Sequence, residues 1–179
     1  FTFIPSCGHC RYCTVGKPSL CENGAEANNA GVLMNGARRF SRNGKSYFHH
    51  CGVSGYSQYT ITLPGSLVKI DSTLPFELAT LFGCAVTTGT GAAMNTANIR
   101  PGQSVAVFGL GGVGLAALIG AKACNAGQII AVDLLDSKLE MASNLGATHT
   151  VNAKDTNPVE AIQDLTHGGV EIAIESVGN

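Results

Sequence analysis

The sequence lacks any uninterrupted apolar run long enough to cross a bilayer, and it has no apolar segment typical of a secretory signal. It also lacks an excess of charge of either sign, because 11 basic and 12 acidic residues leave a net charge of −1. That balance gives no electrostatic reason to expect nucleic acid or a membrane surface as a partner. With 179 residues and 45% hydrophobic residues, we expect one large globular domain or two modest ones.

The chain also lacks an initiator methionine, and it stops at Asn179 directly after an apolar run. We therefore expect both ends to continue in a longer protein.

Four of the seven cysteines stand close together near the start of the chain, at Cys7, Cys10, Cys13 and Cys21. Their spacing, C-x2-C-x2-C-x7-C, allows all four thiols to reach one tetrahedral ion, and Zn²⁺ favours such closed sites for structure rather than chemistry. An iron–sulfur cluster is an alternative, although ferredoxins place the fourth cysteine after three residues and follow it with proline. Disulfides or free thiols are a further alternative, but disulfide frameworks belong to short secreted chains.

The second half of the sequence alternates between apolar strand patterns and helical patterns. This order predicts a parallel sheet with right-handed crossovers. The predicted strands are 104–111, 129–133, 149–153 and 170–176, and the predicted helices are 112–126, 136–147 and 158–166.

The first half has weaker patterns. The glycine- and asparagine-rich stretch 22–46 predicts an ordered or semi-ordered loop. Alternating aromatic and β-branched residues predict a strand near 57–63, and 66–70 is a candidate for a second short strand. From Phe76 to Ala97 we expect helical stretches that are interrupted around Gly83 to Gly91.

A glycine-rich fingerprint, Gly109-x-Gly111-x-x-Gly114, lies between a predicted strand and a predicted helix. In this setting the first glycine makes a tight turn, the second lets the backbone approach a pyrophosphate, and the third lets the helix pack on the strand. We therefore expect the whole loop to bind a dinucleotide, through Gly109, Leu110, Gly111, Gly112, Val113 and Gly114.

Asp133 ends the next predicted strand, where a carboxylate can bind both ribose hydroxyls and repel a 2′-phosphate. The sequence therefore predicts NAD rather than NADP as the cofactor. Lys138 either reaches the adenosine ribose or is a solvated lysine on the helix surface.

Taken together, these motifs resemble the zinc-dependent medium-chain alcohol dehydrogenase family. CGHCRYC with Cys21 resembles its structural-zinc lobe, GCAVTTGTGAA resembles the segment that enters its cofactor domain, and GLGGVG with Asp133 resembles its Rossmann half. The resemblance implies an α/β fold with a partial GroES-like β domain at 1–84, whose zinc lobe is 7–21. It also implies a truncated NAD-binding Rossmann domain with a doubly wound parallel sheet at 85–179.

The resemblance also implies individual site residues. Cys84 matches a ligand of the family's catalytic zinc, whereas on the sequence alone it is equally a packed, half-buried thiol. The other catalytic ligands and the proton relay would lie upstream of Phe1, and the last two Rossmann strands would lie beyond Asn179. Thr88 matches a position near the nicotinamide, Val177 is placed among the cofactor-binding residues, and Phe3 matches a substrate-pocket position or is a core aromatic.

The remaining histidines and cysteines match no ligand position. His49 and His50 are interpreted as ordinary polar residues of a strand or loop, and His9 as a spacer in the zinc lobe. Cys124 is expected to pack in the core. Cys51, His149 and His167 have no assigned role.

The resemblance implies reversible hydride transfer between a zinc-bound primary alcohol, or an aldehyde in reverse, and NAD. Within the same family, an S-(hydroxymethyl)glutathione (formaldehyde) dehydrogenase is an alternative. A third possibility is that the chain alone is a zinc- and NAD-binding module without turnover. The expected partner is a small alcohol or aldehyde, the parent protein is expected to be a cytoplasmic homo-oligomer, and neither nucleic acid nor membrane is expected to bind.

Overall fold

Residues 1–178 are described by a computed structural model, and the chain divides into two units. The first unit is Phe1–Ala79, and the second begins at Thr80. The boundary between them lies slightly before the one expected between 84 and 85. In the part of the chain that the structure describes, no helix combines the length and the apolar character that a membrane span requires.

The first unit begins with two short helices around the cysteine motif. Helix α1 is Arg11–Thr14, a 3₁₀ turn follows at Pro18–Leu20, and helix α2 is Glu22–Ala30. The sequence ENGAEANNA of α2 has no apolar periodicity, which is why a loop was predicted there. The structure has a helix instead, so that prediction is wrong. The helix forms because the Cys21 sulfur caps its first turn by accepting the N–H of Gly24, and because Gly31 ends it in the left-handed conformation.

A hairpin also replaces part of the predicted loop. Strands β1 (Phe40–Arg42) and β2 (Lys45–Tyr47) are antiparallel, with Phe40 opposite Tyr47. Asn43 and Gly44 join them with φ values of 53° and 74°. Two consecutive positive φ values define the type I′ turn that an Asn-Gly pair favours between strands.

The strands predicted near 57–63 and 66–70 are wrong. These segments have no strand pairing, and a 3₁₀ turn occupies Pro64–Ser66. Tyr56 and Tyr59 are both exposed, so the alternating pattern has no buried face in this structure. A short helix, α3, closes the unit at Phe76–Ala79.

The second unit begins with an interrupted helical segment, as the sequence predicts. A 3₁₀ turn at Thr80–Gly83 leads into helix α4 (Ala85–Gly91), which continues as a π turn at Ala92–Thr96. The interruption lies at Cys84, and Gly91 does not break the helix.

A four-stranded parallel sheet forms the centre of the second unit, and this prediction is confirmed. The strand order is β5-β4-β3-β6. The strands are β3 (Ser104–Phe108), β4 (Gln128–Asp133), β5 (His149–Asn152) and β6 (Ile172–Glu175).

Three helices connect these strands at the predicted places, namely α5 (Gly112–Ala123), α6 (Asp136–Leu145) and α7 (Pro158–Thr166). Val105 and Ile129 pack on one face of the sheet, and Ala106 and Ile130 pack on the other. Because both faces of β3 and β4 are buried, these strands consist almost entirely of apolar residues. Their carboxyl ends lead directly into the glycine-rich loop and Asp133.

Close contact between α4 and α5 depends on glycines. A Cβ atom added at Gly89 would lie 2.1 Å from the carbonyl oxygen of Val113, and one added at Gly120 would lie 2.9 Å from Cβ of Ala93. Small residues in both helices therefore allow α4 and α5 to pack closely.

Candidate functional site

Four cysteine sulfurs converge in the first unit. The Sγ atoms of Cys7, Cys10, Cys13 and Cys21 all lie within 4.8 Å of one another, and those of Cys10 and Cys21 are 4.0 Å apart. Sulfurs placed about 2.3 Å from one ion at the corners of a tetrahedron lie about 3.8 Å from each other. The observed set is slightly wider than that and has the donor chemistry of a closed tetrathiolate zinc site.

Backbone N–H groups surround these sulfurs. Cys7 Sγ accepts the N–H of Cys10 at 3.3 Å, and Cys21 Sγ accepts the N–H groups of Cys7 at 3.3 Å and Gly24 at 3.4 Å. Such donors disperse negative charge on thiolates and orient them toward a shared ion. An ion pair that the sequence did not predict joins α1 to α2, with the Arg11 guanidinium nitrogen 2.6 Å from a carboxylate oxygen of Glu22.

The thiols of this cluster differ in acidity. The N–H of His9 is the main cause that holds the pKa of Cys7 below its ordinary value. Backbone N–H groups of Cys13 and Glu22 lower the pKa of Cys10 to about 6, whereas burial raises the pKa of Cys13 to about 11. Metal binding requires thiolates, so occupation of the site would release protons. All seven cysteines of the chain are free thiols in this structure.

In the second unit, the glycine-rich loop connects β3 to α5. Gly109 has a φ of 83°, and a Cβ atom there would lie 2.8 Å from a methyl group of Val177. A Cβ atom on Gly114 would lie 1.8 Å from the carbonyl oxygen of Gly109, which explains the third glycine by close packing. A Cβ atom on Gly111 would meet nothing within 4 Å, so open space lies in front of the second glycine, at the start of α5.

The other loop residues divide by exposure. Leu110 is buried in the core, so its side chain is not available to a ligand. Gly112 and Val177 are exposed, and Val113 is partly buried. The Ser176 hydroxyl donates to the carbonyl oxygen of Gly109 at 2.7 Å and thereby joins β6 to the loop. Sequence analysis missed this contact, because nothing in the spacing links residues so far apart.

Asp133 lies at the end of β4, beside the loop. One carboxylate oxygen accepts the N–H of Leu110 at 2.7 Å, and the other accepts the N–H groups of Leu134 at 2.8 Å and Leu135 at 3.1 Å. Burial acts to raise the pKa of Asp133, but these donors and Lys138 outweigh it and hold the pKa below its usual value. The carboxylate is therefore negative at neutral pH, with the Lys138 ammonium 3.8 Å away.

Cys84 is exposed at the start of α4, and its carbonyl oxygen accepts the N–H of Thr88 at 2.9 Å. Thr88 is also exposed, one turn further along the helix. The interpretation of Cys84 as a packed thiol is therefore wrong. Among residues 1–178, the four clustered cysteines are the only group of three or more side chains found close enough to share an ion, so Cys84 stands apart from other ligands.

The remaining residues of interest lie in various settings. Phe3 is 61% exposed, so it is not a core aromatic. Cys51 is partly buried, and Cys124 is partly buried against the core, where packing was expected. His49 differs most from expectation, because its ring is buried and packs on Phe40 with the ring centroids 4.6 Å apart. Its sequence context, two adjacent histidines, gave no signal of burial.

Comparison with known proteins agrees with the geometry. Residues 112–179 match the family model described as zinc-binding dehydrogenase. The chain is 44% identical over 179 residues to an S-(hydroxymethyl)glutathione dehydrogenase of Synechocystis sp., a match that covers 99% of this chain and 48% of the relative. The chain thus spans about half the length of this curated relative.

Two solved structures are also similar. An alcohol dehydrogenase zinc-binding domain protein from Burkholderia ambifaria has a TM-score of 0.87 at 35% identity, covering 97% of this chain and 48% of that one. Benzyl alcohol dehydrogenase from Acinetobacter calcoaceticus has a TM-score of 0.82 at 37% identity, covering 97% and 47%.

The first unit contains the four-cysteine cluster, and the second contains the parallel sheet with its glycine-rich loop. Along its length the chain is similar to zinc-type alcohol dehydrogenases, and its residues 112–179 match the zinc-binding dehydrogenase model.

Proposed function

We propose that the protein to which this chain belongs transfers a hydride between a primary alcohol, or an aldehyde in reverse, and NAD. The observation that carries this proposal is the ionised carboxylate of Asp133 beside an open glycine-rich loop. It occurs in a chain that is 44% identical along its length to a protein named as a dehydrogenase.

The dinucleotide would be held mainly by backbone groups. The first N–H groups of α5, from Gly112, Val113 and Gly114, have no partners within the helix and suit a pyrophosphate. The open space at Gly111 lets the ligand approach these groups closely. Asp133 would accept hydrogen bonds from the ribose hydroxyls, and Lys138 would lie beside them. Thr88 would face the nicotinamide, and Val177, which lies beside Gly109, would also contact the dinucleotide.

Two kinds of zinc site are proposed. Cys7, Cys10, Cys13 and Cys21 would hold a structural ion, because their sulfurs fit a closed tetrathiolate set. Cys84, exposed at the start of α4, would give one thiolate to a catalytic ion. When bound, the catalytic zinc supplies Lewis acidity that makes the alcohol more acidic, and NAD supplies the hydride acceptor.

The domain assignment follows the same family. We propose that residues 1–84 are part of a GroES-like catalytic domain whose zinc lobe is 7–21. Residues 85–179 would be part of a Rossmann domain. We also propose that the protein is a homo-oligomer located in the cytoplasm, where a reducing environment keeps thiols available for zinc.

An S-(hydroxymethyl)glutathione dehydrogenase is the second candidate, favoured by the name of the Synechocystis relative. A zinc- and NAD-binding module without turnover is the third, favoured by the isolation of Cys84 from other ligands among the described residues. Substrate dependence separates the first two. The third concerns the 179-residue chain alone, and NADH formation by that chain would contradict it.

The test uses the complete protein in its zinc-loaded form. NADH formation is measured with benzyl alcohol, with ethanol, and with formaldehyde plus glutathione. We expect turnover with at least one alcohol, and turnover that requires both formaldehyde and glutathione would favour the second candidate. Cys84→Ser should abolish turnover and leave NADH binding intact, whereas Cys124→Ser serves as a matched thiol control. Full activity of Cys84→Ser would contradict the role of Cys84.

A further inference from the structure

Three asparagines of the first unit are each followed by glycine. The pairs are Asn23-Gly24, Asn35-Gly36 and Asn43-Gly44. Such a pair is chemically labile, because glycine has no side chain to hinder its own backbone nitrogen, which can attack the side-chain amide of the preceding asparagine. The attack requires a backbone N–H that is free and a chain that can change its torsions. Since the three pairs have the same two residues, any difference in their reactivity arises from the fold.

The first pair is protected inside a helix. Asn23 and Gly24 lie in the first turn of α2, and Gly24 is buried. The Gly24 N–H donates to Sγ of Cys21 at 3.4 Å, so the nitrogen that would attack is occupied. A change of torsion at this pair would also disrupt the cap of α2.

The second pair is exposed but held by hydrogen bonds. The N–H of Gly36 donates to the carbonyl oxygen of Leu33 at 2.7 Å. The side chain of Asn35 is fixed as well, because its Oδ1 accepts the N–H of Ala37 at 3.1 Å. Both residues of this pair are exposed, so access of water does not distinguish it from the third pair.

The third pair has neither kind of protection. Asn43 and Gly44 form the exposed turn between β1 and β2. Among residues 1–178, no acceptor is found for the Gly44 N–H and no hydrogen bond is found for the Asn43 side chain. The nitrogen and the amide that would react are therefore both open to solvent.

The hairpin that carries this turn can also change its torsions. Each of its strands has three residues, and Phe40 is the only one of the six that is not exposed. In the part of the chain that the structure describes, no third strand joins the pair. A lone two-stranded hairpin is at most marginally stable in water, so its turn can open while the rest of the unit stays folded.

We propose that Asn43 is a site of spontaneous deamidation in the folded protein, with water as the only co-reactant. The Gly44 nitrogen loses its proton and bonds to Cγ of Asn43, and the side-chain amide leaves as ammonia. Water then opens the resulting succinimide at either carbonyl and yields aspartate or isoaspartate at position 43. No oxidant or reductant takes part, and the step depends on neither zinc nor NAD.

The products would change the hairpin. Either one places a carboxylate between Arg42 and Lys45, which lie opposite each other in the strand pairing. The chain has no aspartate or glutamate between Glu26 and Asp71, so this would be the first acidic group in that segment. Isoaspartate also lengthens the backbone by one methylene, which the two-residue turn cannot accommodate without a change of register.

The experiment incubates the zinc-loaded protein at mildly alkaline pH in water enriched in ¹⁸O, followed by peptide mass spectrometry. Each deamidation adds one labelled oxygen, which separates it from deamidation during later handling. Cleavage after Phe40 places Asn35 and Asn43 in different peptides. We expect Asn43 to react about tenfold faster than Asn35 or more, because a hydrogen bond that must first break raises the barrier by roughly that factor.

The same chain unfolded in urea is the reference, since all three pairs should then react at similar rates. Asn43→Gln should remove the labelled product at position 43, because ring closure would need a less favourable six-membered ring. Asn35→Gln, the matched change at the second pair, should leave the rate at Asn43 unaltered. Equal or faster reaction at Asn23 or Asn35 in the folded protein would overturn the proposal. An Asn43 that stays intact in the folded protein while it reacts in urea would overturn it as well.

Discussion

At the scale of single residues, we propose that Asp133 determines which dinucleotide the loop accepts. Its two oxygens accept three backbone N–H groups, so the carboxylate is held in place. The side chain is also only 11% exposed. A 2′-phosphate at this position would meet a fixed negative charge with only the Lys138 ammonium nearby to offset it.

We therefore expect Asp133→Ser to reduce the preference for NADH over NADPH by about tenfold or more, because the repulsion of the phosphate is removed. Fluorescence titration with both dinucleotides measures the ratio of the two affinities. Glu140→Gln is the control, since it removes one negative charge from an exposed position on α6. Equal affinity of the unmodified protein for NADH and NADPH would contradict the role of Asp133.

Local spacing was sufficient to predict that the glycine-rich loop joins a strand to a helix. Gly109, Gly111 and Gly114 follow a strand and open a helix, and their roles depend on backbone only a few residues away. The hydrogen bonds of Asn28 and His49 could not be predicted in the same way. Their partners, Phe3 and Arg39, come from other parts of the chain, so only the folded structure shows them.

At the scale of secondary-structure elements, the packing of α4 on α5 can be tested with two glycines of one helix. Gly89→Ala would place a Cβ atom 2.1 Å from the Val113 carbonyl oxygen, whereas the nearest atom to a Cβ on Gly91 is 3.9 Å away. We expect Gly89→Ala to lower the free energy of unfolding by about 2 kcal/mol or more. Gly91→Ala should leave it unchanged or raise it by up to about 1 kcal/mol, because alanine favours helix.

Urea denaturation of both variants, with equal zinc content, measures this difference. A loss of stability in Gly91→Ala that equals the loss in Gly89→Ala would show that the contact between the helices is not the cause.

The segment that contains α1 and α2 should depend on its metal. These helices are short, and α1 has no buried residues, so their own packing contributes little. Structural zinc in small folding units contributes about 10–16 kcal/mol. We expect Cys10→Ser to lose the ion and to disorder residues 7–24. Elemental analysis and hydrogen exchange are the measurements, with Cys51→Ser as the control. Iron in the purified protein, with charge-transfer absorbance, would favour the iron–sulfur alternative.

Among the elements, those of the second unit were predicted well and those of the first were not. Helix α7 was predicted with the observed bounds, because Asn157 caps it, Pro158 opens it and β5 and β6 flank it. In the first unit, the Asn43-Gly44 turn was a sequence signal that the loop prediction overlooked. The alternation at 57–63 was misleading, because side chains such as Tyr59 remain exposed and no partner strand covers them.

At the scale of the whole molecule, we expect the number of bound zinc ions to differ between this chain and the proposed full-length enzyme. Catalytic zinc requires three protein ligands, and among residues 1–178 Cys84 has no neighbouring set that completes them. We expect the 179-residue chain to bind one zinc and NADH but to form no NADH from ethanol or benzyl alcohol. A longer protein that contains this chain and supplies the other two ligands should bind a second zinc and show turnover together.

A spectrophotometric assay of the chain against a no-protein control, with zinc analysis of the same sample, provides the measurement. NADH formation above the control would show that the catalytic ligands have been assigned incorrectly. If the chain binds a second zinc but forms no NADH, binding of the second ion is not sufficient for turnover.

The three positions of the loop require glycine for different physical reasons, so they should tolerate substitution differently. Gly109 is required by its positive φ, and Gly114 is required by the close contact of α5 with the end of β3. Both glycines are therefore needed for the second unit to fold. A Cβ atom on Gly111 would contact nothing in the protein, so only a bound cofactor would require glycine at this position. In a saturation library screened for expression, position 111 should therefore accept many amino acids while 109 and 114 stay glycine. In a library selected for enzyme activity, all three positions should stay glycine. A position 111 that varies in the expression screen but not in the activity screen would indicate a requirement imposed by the bound cofactor.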